Sequence, residues 1–281
     1  MDRKLNAKLI NNFLNEDLWK NHLRNDCING EVFLAIRKNR IDLYHKGGKL
    51  FSYNSRGFKT HIKYAAAIHS EKDYLTEDEL EDCTLETKFT EKYSRIKENC
   101  SNYSGVEASG LATFYQKNSY LTDNNVVVLD IEVSLKSDDE DRTQDRIDLV
   151  LYNRKERTLR FVEAKHFSNS AIWAKGEPKV IGQIKRYEQQ ITQKENDIIS
   201  GYKDHITALK SIFESSGSIL FDEHVEIEKK VPLLIFGFDR DQKTGRLKEL
   251  VTENVQYEGI NVIPIGKVES INQNNIWSNL K

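Results

Sequence analysis

The sequence predicts an α/β protein in which a mixed sheet is flanked by helices, preceded by a smaller α+β module built on a β-meander. Three observations lead to this prediction. Short β-prone runs separated by turn residues fill residues 31–64. Three further apolar runs follow residue 125, and a long helical pattern separates them from two more. Strands joined by short loops pair antiparallel, whereas a strand that follows a helix can return parallel to its neighbour.

The N-terminal module comprises residues 1–100 in this prediction. Apolar residues recur at helical spacing over residues 4–24, which predicts one helix. Four strands follow as a meander, and the polar residues 71–100 form a helical connection that opens with a capping box at Thr76. The predicted strands are Glu31–Arg37, Arg40–His45, Leu50–Tyr53 and Phe58–Tyr64.

The second domain comprises residues 101–281, in the order α, β, β, β, α, β, β. It opens with a helix at residues 104–119, and the long helix runs over roughly Lys179–Phe213, with a break expected near Ser200-Gly201. A hairpin loop at Asn153–Arg157 joins the second and third strands. The predicted strands are Val126–Leu135, Arg146–Tyr152, Leu159–Lys165, Val231–Phe238 and Ile260–Ile265.

The composition excludes several classes of protein. With 38% hydrophobic and 10% aromatic residues, the 281-residue chain is expected to bury a core rather than remain disordered. No apolar run approaches the ~20 residues that span a bilayer, so we expect no membrane partner. The three cysteines are widely spaced and form no Cys-x-x-Cys pair, which argues against a zinc ribbon or a disulfide framework. A cytoplasmic location is the expectation.

Positive charge is concentrated in the N-terminal part of the chain. Residues 1–69 hold 13 Lys/Arg against 6 Asp/Glu, although the whole chain has a net charge of -2. Basic and aromatic residues alternate in the meander, which suits nucleic acid if phosphates pair with the cations and bases stack on the rings. The alternative is a small sheet with its aromatics in a core and its lysines in water. The candidate nucleic-acid contacts here are Arg37, Lys38, Arg40 and Lys46.

Charged residues interrupt two of the apolar strands. Asp148 lies within one strand, and Glu163 and Lys165 lie two apart on the next, so the latter two share a face. If the strands pair through their hairpin loop, Asp148 and Glu163 lie side by side, where two carboxylates repel. A divalent cation resolves this repulsion, and carboxylates, the Ala164 carbonyl and waters form the oxygen set that Mg²⁺ prefers. Lys165 is then placed to orient water or to neutralise charge on a phosphate.

These residues resemble the PD-(D/E)XK nucleases, which have the restriction-endonuclease-like fold. The matching positions are Asp148, the Glu-Ala-Lys run at Glu163–Lys165, and Gln183 with Tyr187 on the following helix. The last two resemble the Gln-x-x-x-Tyr signature of the branch that includes RecB-type and λ-exonuclease-type nucleases. The resemblance covers about residues 104–190. It implies an α-β-β-β-α-β core, a catalytic Lys165, and a Gln183–Tyr187 pair that supports the lysine and the substrate backbone.

The resemblance also implies a further acid at the metal site. Glu132, with Asp130 on the same face, is favoured because an acid embedded in an apolar strand needs a reason to be there, and Glu107 on the preceding helix comes second. One departure from the motif is Ile147, which stands where the family name has proline. Further candidate phosphate contacts flank or lie on the long helix: Lys175, Lys185 and Arg186.

The implied function is hydrolysis of phosphodiester bonds with Mg²⁺ or Mn²⁺ as cofactor, with DNA favoured over RNA. Three alternatives stay open: a sequence-specific, restriction-type endonuclease acting as a homodimer, a non-catalytic nucleic-acid-binding or assembly module with a decayed site, and an RNA-directed defence nuclease. The charged residues could also form a structural ion network. His166 points to the opposite face and is interpreted as structural, and Trp173 either borders the substrate groove or packs on the core.

Overall fold

A computed structural model describes residues 1–66, 89–135, 146–173, 176–213 and 225–278. The protein is α/β, with a mixed sheet flanked by helices and a separate antiparallel meander, which confirms the predicted class. The chain forms two compact units. The meander unit comprises the described residues of Asp2–Lys117 and Asp204–Ser216, and the sheet unit comprises Met1 and the described residues of Asn118–Lys203 and Gly217–Lys281.

Helices and one π-helical turn begin the meander unit. The predicted single helix over residues 4–24 is wrong in detail, because the backbone is extended at Glu16 and divides it. Asn6 caps the first segment by accepting a hydrogen bond from the Leu9 amide at 2.7 Å. The segments are α1 (Ala7–Asn15), the π-helical turn Trp19–Leu23 and α2 (Arg24–Ile28), and later helices of this unit are α3 (Ile62–Ala66), α4 (Tyr93–Asn102) and α5 (Val106–Lys117).

The meander pairs its strands in chain order, each antiparallel to the next. The fourth strand ends at Lys59 rather than at Tyr64, which corrects the prediction. The Thr60 hydroxyl donates to the Leu50 carbonyl at 2.8 Å, and helix α3 follows within two residues. The strands are β1 (Phe33–Arg37), β2 (Arg40–His45), β3 (Gly48–Asn54) and β4 (Gly57–Lys59). Thr76 and most of the predicted connection lie outside the described residues.

Aromatic residues of the meander fill its core. Phe33, Phe51 and Tyr53 are at most 3% exposed. Phe13 of α1 packs against Tyr53 and Phe58, with ring centroids 5.1 and 5.9 Å apart. Aromatic clusters of this kind are stabilised by burial and by favourable ring geometry. The rings therefore form a core and leave little aromatic surface for stacking against bases.

Over its described residues, the sheet unit is built on six strands in the order β10-β9-β7-β6-β5, with β8 beside β7. Strands β5, β6 and β7 pair antiparallel, whereas β9 runs parallel to both β7 and β10. The predicted loop between β6 and β7 is confirmed, since the Asn153 side chain accepts from the amides of Lys155 and Glu156 at 3.0 Å. The strands are β5 (Val126–Val133), β6 (Ile147–Asn153), β7 (Thr158–His166), β8 (Glu226–Ile227), β9 (Leu233–Phe236) and β10 (Val262–Ile265).

The long helix breaks at Lys194 and not at Ser200-Gly201. Gly201 instead permits a close approach, because a β-carbon there would lie 2.7 Å from the carbonyl oxygen of Met1. The helices here are α6 (Lys179–Gln193) and α7 (Glu195–Ile212), followed by the short α8 (Arg240–Gln242), α9 (Lys248–Glu253) and α10 (Gln273–Ser278). Among the helices of the described ranges, none has the length and apolar character to cross a membrane.

The two units interleave along the chain. Helix α5, which the sequence analysis groups with the second domain, belongs to the meander unit, and α7 contributes its first half to the sheet unit and its second half to the meander unit. In the meander unit, Phe213 after α7 packs edge-on against Trp19 at 5.6 Å. The predicted domain boundary near residue 100 stays a prediction.

A buried arginine ties the C-terminal helix to the sheet. Arg160 on β7 is 3% exposed, and it binds both carboxylate oxygens of Glu228 at 2.6 Å. Its remaining nitrogen donates to the carbonyls of Ile276 and Trp277 at 2.9 Å. The guanidinium also lies 3.9 Å from the centroid of the Trp277 ring. One side chain therefore holds together β7, the residue after β8, and α10.

Candidate active site

The pairing of β6 with β7 brings the two predicted carboxylates together. Leu149 faces Val162 in this register, so Asp148 and Glu163 occupy the next facing positions. The Asp148 carboxylate accepts a hydrogen bond from the Ala164 amide at 2.7 Å, which fixes it against β7. The juxtaposition expected from the sequence is therefore present in the structure.

Lys165 completes a compact charged cluster. Its Nζ atom lies 2.6 Å from Glu163 Oε1, 3.1 Å from the Ala164 carbonyl oxygen and 3.5 Å from Asp148 Oδ2. The exposed fractions of the three charged side chains are 0% for Glu163, 10% for Lys165 and 17% for Asp148. Carboxylates in such a place require a cationic partner, because an uncompensated buried charge is strongly destabilising. The ammonium group supplies that charge here.

The oxygen atoms of this cluster fit a hard divalent cation in their chemistry. The Asp148 and Glu163 carboxylates and the Ala164 carbonyl are the ligand types that Mg²⁺ accepts, with waters in the other positions. Within the part of the chain that the structure describes, no three His, Cys, Asp or Glu side chains gather as a metal-binding group. The fit therefore rests on two carboxylates and one carbonyl.

Glu132, the favoured further acid, lies on β5 beside the cluster. The register of β5 with β6 places it opposite Asp148, and the β-bulge of this strand lies earlier, between Val128 and Asp130. Its φ of 51° is in the left-handed region, and its carboxylate lies 3.5 Å from Arg146 and is 38% exposed. Asp130 two residues earlier is fully buried, and its Oδ1 accepts from the Ile131 amide at 2.9 Å. The charge of Glu132 is thus balanced by Arg146.

Glu107, the second choice, lies in the other unit. It occupies the first turn of α5 and is partly exposed. An acid in the first turn of a helix interacts favourably with the helix dipole, which gives Glu107 a structural role where it stands.

Gln183 and Tyr187 form a pair on α6, as their spacing predicts. Gln183 Nε2 donates to the Tyr187 hydroxyl at 2.6 Å. Tyr187 is fully buried, and the apolar face of α6 packs with it through Val180, Ile184 and Ile191. A buried hydroxyl needs such a partner, and the glutamine provides it from one helical turn away.

A residue that the sequence analysis did not identify connects α6 to the carboxylate cluster. Glu188 accepts from the Val231 amide and from Lys230 Nζ, both at 3.1 Å. The carbonyl of the next residue, Pro232, accepts a hydrogen bond from the Glu163 amide at 3.1 Å. Glu188 therefore fixes the segment that leads into β9, directly beside Glu163. No motif marks this glutamate, and its contact with a segment some 40 residues away could not be read from local pattern.

Three of the four basic residues predicted to contact nucleic acid in the meander have acidic partners. Arg37 is 9% exposed and lies 3.8 Å from the buried Asp42, and Arg40 binds Asp42 at 2.9 Å. Both guanidinium groups thus balance one buried carboxylate. Lys38 pairs with Asp2 at 3.1 Å on the surface. Lys46 is exposed in the turn after β2, with φ of 45°.

Candidate contacts near α6 are more accessible. Lys185 is 60% exposed and pairs with Glu177 at 2.7 Å, while Arg186 is partly exposed. Lys185 also lines a cleft of about 450 Å³ together with Lys229 and Lys230. Lys175 lies outside the described residues. Exposed ion pairs contribute little to the free energy of folding. Lys185 would therefore lose little if it left Glu177 to bind a phosphate.

Trp173 packs on the sheet unit. Its indole nitrogen donates to the Phe167 carbonyl at 2.6 Å, and the Phe167 ring meets it edge-on at 4.8 Å. The guanidinium of Arg246 lies 3.9 Å from the centroid of the indole ring. Of the two interpretations of this residue, the structure supports core packing.

Comparison with known proteins adds no relative. Family models, curated proteins and solved structures were all compared with the chain, and none of them matches it.

Proposed function

We propose that this chain is a metal-dependent nuclease that hydrolyses phosphodiester bonds of DNA. The observation that carries the proposal is the convergence of Asp148, Glu163 and Lys165 on facing positions of two buried strands. Buried ionisable groups destabilise a fold unless opposite charges or hydrogen bonds compensate them. Clusters of such groups are concentrated at functional sites. DNA is favoured over RNA by the family resemblance alone.

Each residue of the cluster has a distinct role in this proposal. The Asp148 and Glu163 carboxylates and the Ala164 carbonyl would hold Mg²⁺ or Mn²⁺, which when bound supplies Lewis-acid activation of water and of the scissile phosphate. The Ala164 amide orients Asp148 through its 2.7 Å hydrogen bond. Lys165 donates to the phosphate oxygens as negative charge grows on them, or orients the attacking water.

The surrounding fold supports a restriction-endonuclease-like core. From α5 onward, the elements follow the order of a helix, three antiparallel strands, two helices, and two strands that each pair parallel to the third strand. The Gln183–Tyr187 hydrogen bond supports the proposed branch, because both residues lie on the helix that follows the Glu-Ala-Lys strand. Glu188 then joins this helix to the segment beside Glu163.

A second candidate is a non-catalytic nucleic-acid-binding module. Lys165 contacts both carboxylates by itself, and in the described ranges no third acidic or metal-binding side chain joins them. An ion network that is complete without a metal would serve a purely structural purpose. Binding of nucleic acid without cleavage is the result that separates this candidate from the first.

The test is a cleavage assay with the wild-type protein and the Lys165→Ala variant. The substrates are linear duplex DNA, circular duplex DNA, single-stranded DNA and RNA, each with Mg²⁺, Mn²⁺ or EDTA. Lys267→Ala is the matched control, because that lysine is exposed in the same unit and is neither part of the cluster nor a candidate phosphate contact. We expect metal-dependent cleavage that falls by about 10²–10⁴-fold in Lys165→Ala, the range for loss of a positioned catalytic group, and stays near wild type in the control.

The substrate pattern then identifies the activity. Cleavage of circular DNA indicates an endonuclease, and cleavage of linear DNA alone indicates an exonuclease. If Lys165→Ala cleaves at the wild-type rate, the assignment of the site is wrong. Binding of DNA or RNA by the wild-type protein, without cleavage under any condition, would favour the non-catalytic module.

A further inference from the structure

We infer that Lys165 is an internal cation that occupies the proposed metal ligands and must leave them before a divalent metal can bind. This inference rests on the proposed function and concerns how the site is loaded. Its consequence is that metal binding and release of the lysine are one event. The lysine becomes available to a substrate phosphate only in the metal-loaded protein.

The geometry points to a shared position. Each of the three groups assigned to the metal contacts Lys165 Nζ through one oxygen: Glu163 Oε1 at 2.6 Å, the Ala164 carbonyl oxygen at 3.1 Å and Asp148 Oδ2 at 3.5 Å. A divalent cation bound to these three oxygens would lie about 2.0–2.1 Å from each of them. Two cations within that space repel each other strongly where little water screens them. Occupancy of these three oxygens by the metal and by the ammonium is therefore exclusive.

The burial of the cluster explains why a resident cation is needed. Glu163 is fully buried and Asp148 is 17% exposed, so an empty site would leave two adjacent carboxylates without compensation. Lys165 removes this liability while the metal is absent. The same contacts lower the apparent affinity for the metal, because its binding must first break the pairs with Glu163 and Asp148.

The side chain of Lys165 has a direction in which to move. The Lys165 side chain starts from β7 on the same face as Glu163 and retains 10% exposure, so part of it already reaches solvent. Once displaced, the ammonium remains within one side-chain length of the carboxylates. A phosphate that binds at the metal then meets a lysine that has left the Asp148 and Glu163 carboxylates.

The first experiment measures Mn²⁺ binding by isothermal titration calorimetry in the absence of nucleic acid. Lys165→Met keeps most of the side-chain volume and removes the charge, and Lys185→Met removes the same charge from an exposed position of the same unit. We expect the Kd of Lys165→Met for Mn²⁺ to be at most about one tenth of the wild-type Kd, as expected for loss of one close ion pair. The Lys185→Met protein should bind as the wild type does.

Each outcome of the titration has a separate meaning. An equal or higher Kd for Lys165→Met would overturn the inference and leave the metal site in place. An equal gain in Lys185→Met would also overturn it, because the effect would then be one of net charge. Absence of Mn²⁺ binding in every protein would remove the metal site and the inference together.

A second measurement needs no variant and therefore survives poor folding of Lys165→Met. The wild-type protein is labelled with a small amine-acylating reagent in EDTA and in saturating Mg²⁺, and labelled lysines are quantified by mass spectrometry. We expect labelling of Lys165 to increase several-fold with Mg²⁺ while that of Lys185 stays constant, since only Lys165 loses its partners. Unchanged labelling of Lys165 would refute the displacement. If Lys165 responds but no substrate is cleaved, the nuclease proposal fails and the inference about loading stands.

Discussion

Replacing Arg160 with methionine removes a buried guanidinium that holds three segments together. The variant loses two charged contacts to Glu228 and two hydrogen bonds to the carbonyls of Ile276 and Trp277. Hydrogen bonds to charged groups contribute roughly 1.5–3 kcal/mol each, but bonds made by one group are not additive. Glu228 is 32% exposed and regains some hydration. We therefore expect a loss of about 3–5 kcal/mol, the range for breaking a buried ion pair.

The assay is urea unfolding together with calorimetric melting of Arg160→Met. For a unit of this size, 1 kcal/mol corresponds to about 2–4 °C, so we expect the melting temperature to fall by roughly 10 °C. Arg240→Met is the control: it removes the same charge from an exposed position of the same unit and should change the stability by no more than about 0.5 kcal/mol. Hydrogen exchange should increase first in β8 and α10. A loss below about 1 kcal/mol in Arg160→Met would refute the reasoning that this arginine stabilises the fold through its buried contacts.

Two further predictions concern hydrogen-bonded groups. Gln183→Leu and Tyr187→Phe should show a coupling free energy of about 1 kcal/mol in a double-mutant cycle of urea unfolding, because each removes the same 2.6 Å hydrogen bond. Strictly additive losses of unfolding free energy would contradict this prediction. Burial lowers the pKa of His45 below its ordinary 6.5, so the folded protein favours the neutral imidazole. The stability that this provides is fully present above pH 6.5 and is lost as the pH falls through the lowered pKa. The melting temperature should thus decline more steeply from pH 7 to 5 in the wild type than in His45→Gln; parallel curves would exclude this role.

The centre of the sheet unit could be predicted because its local signals agree with one another. Asn153 provides the turn, and a hairpin with a fixed turn has a fixed register, so the facing of Asp148 and Glu163 follows from counting residues. The apolar residues around them place both strands in the interior. Gln183 and Tyr187 lie on one helical face for the same reason, since a spacing of four residues determines it.

Other features depend on contacts that no local pattern reveals. Residues 58–64 alternate as a strand does, yet the Thr60 hydroxyl binds the Leu50 carbonyl and the chain turns into a helix. Gly201 looks like a helix breaker, yet it permits the approach of Met1, and the break occurs at Lys194. Basic residues of the meander suggested a phosphate surface, but two of them compensate Asp42, whose burial depends on the packed sheet.

The passage of α7 from one unit into the other has a consequence for biosynthesis. When residues up to Lys117 have emerged from the ribosome, the last part of the meander unit, which lies beyond residue 203, has not yet been synthesised. Until then Trp19 has no Phe213 to cover it, and the apolar surface around it is open to chaperones or to neighbouring chains. A gene divided within α7, between Lys203 and Asp204, would yield two polypeptides, neither of which contains a complete unit. The two units are therefore expected to fold from a single continuous chain.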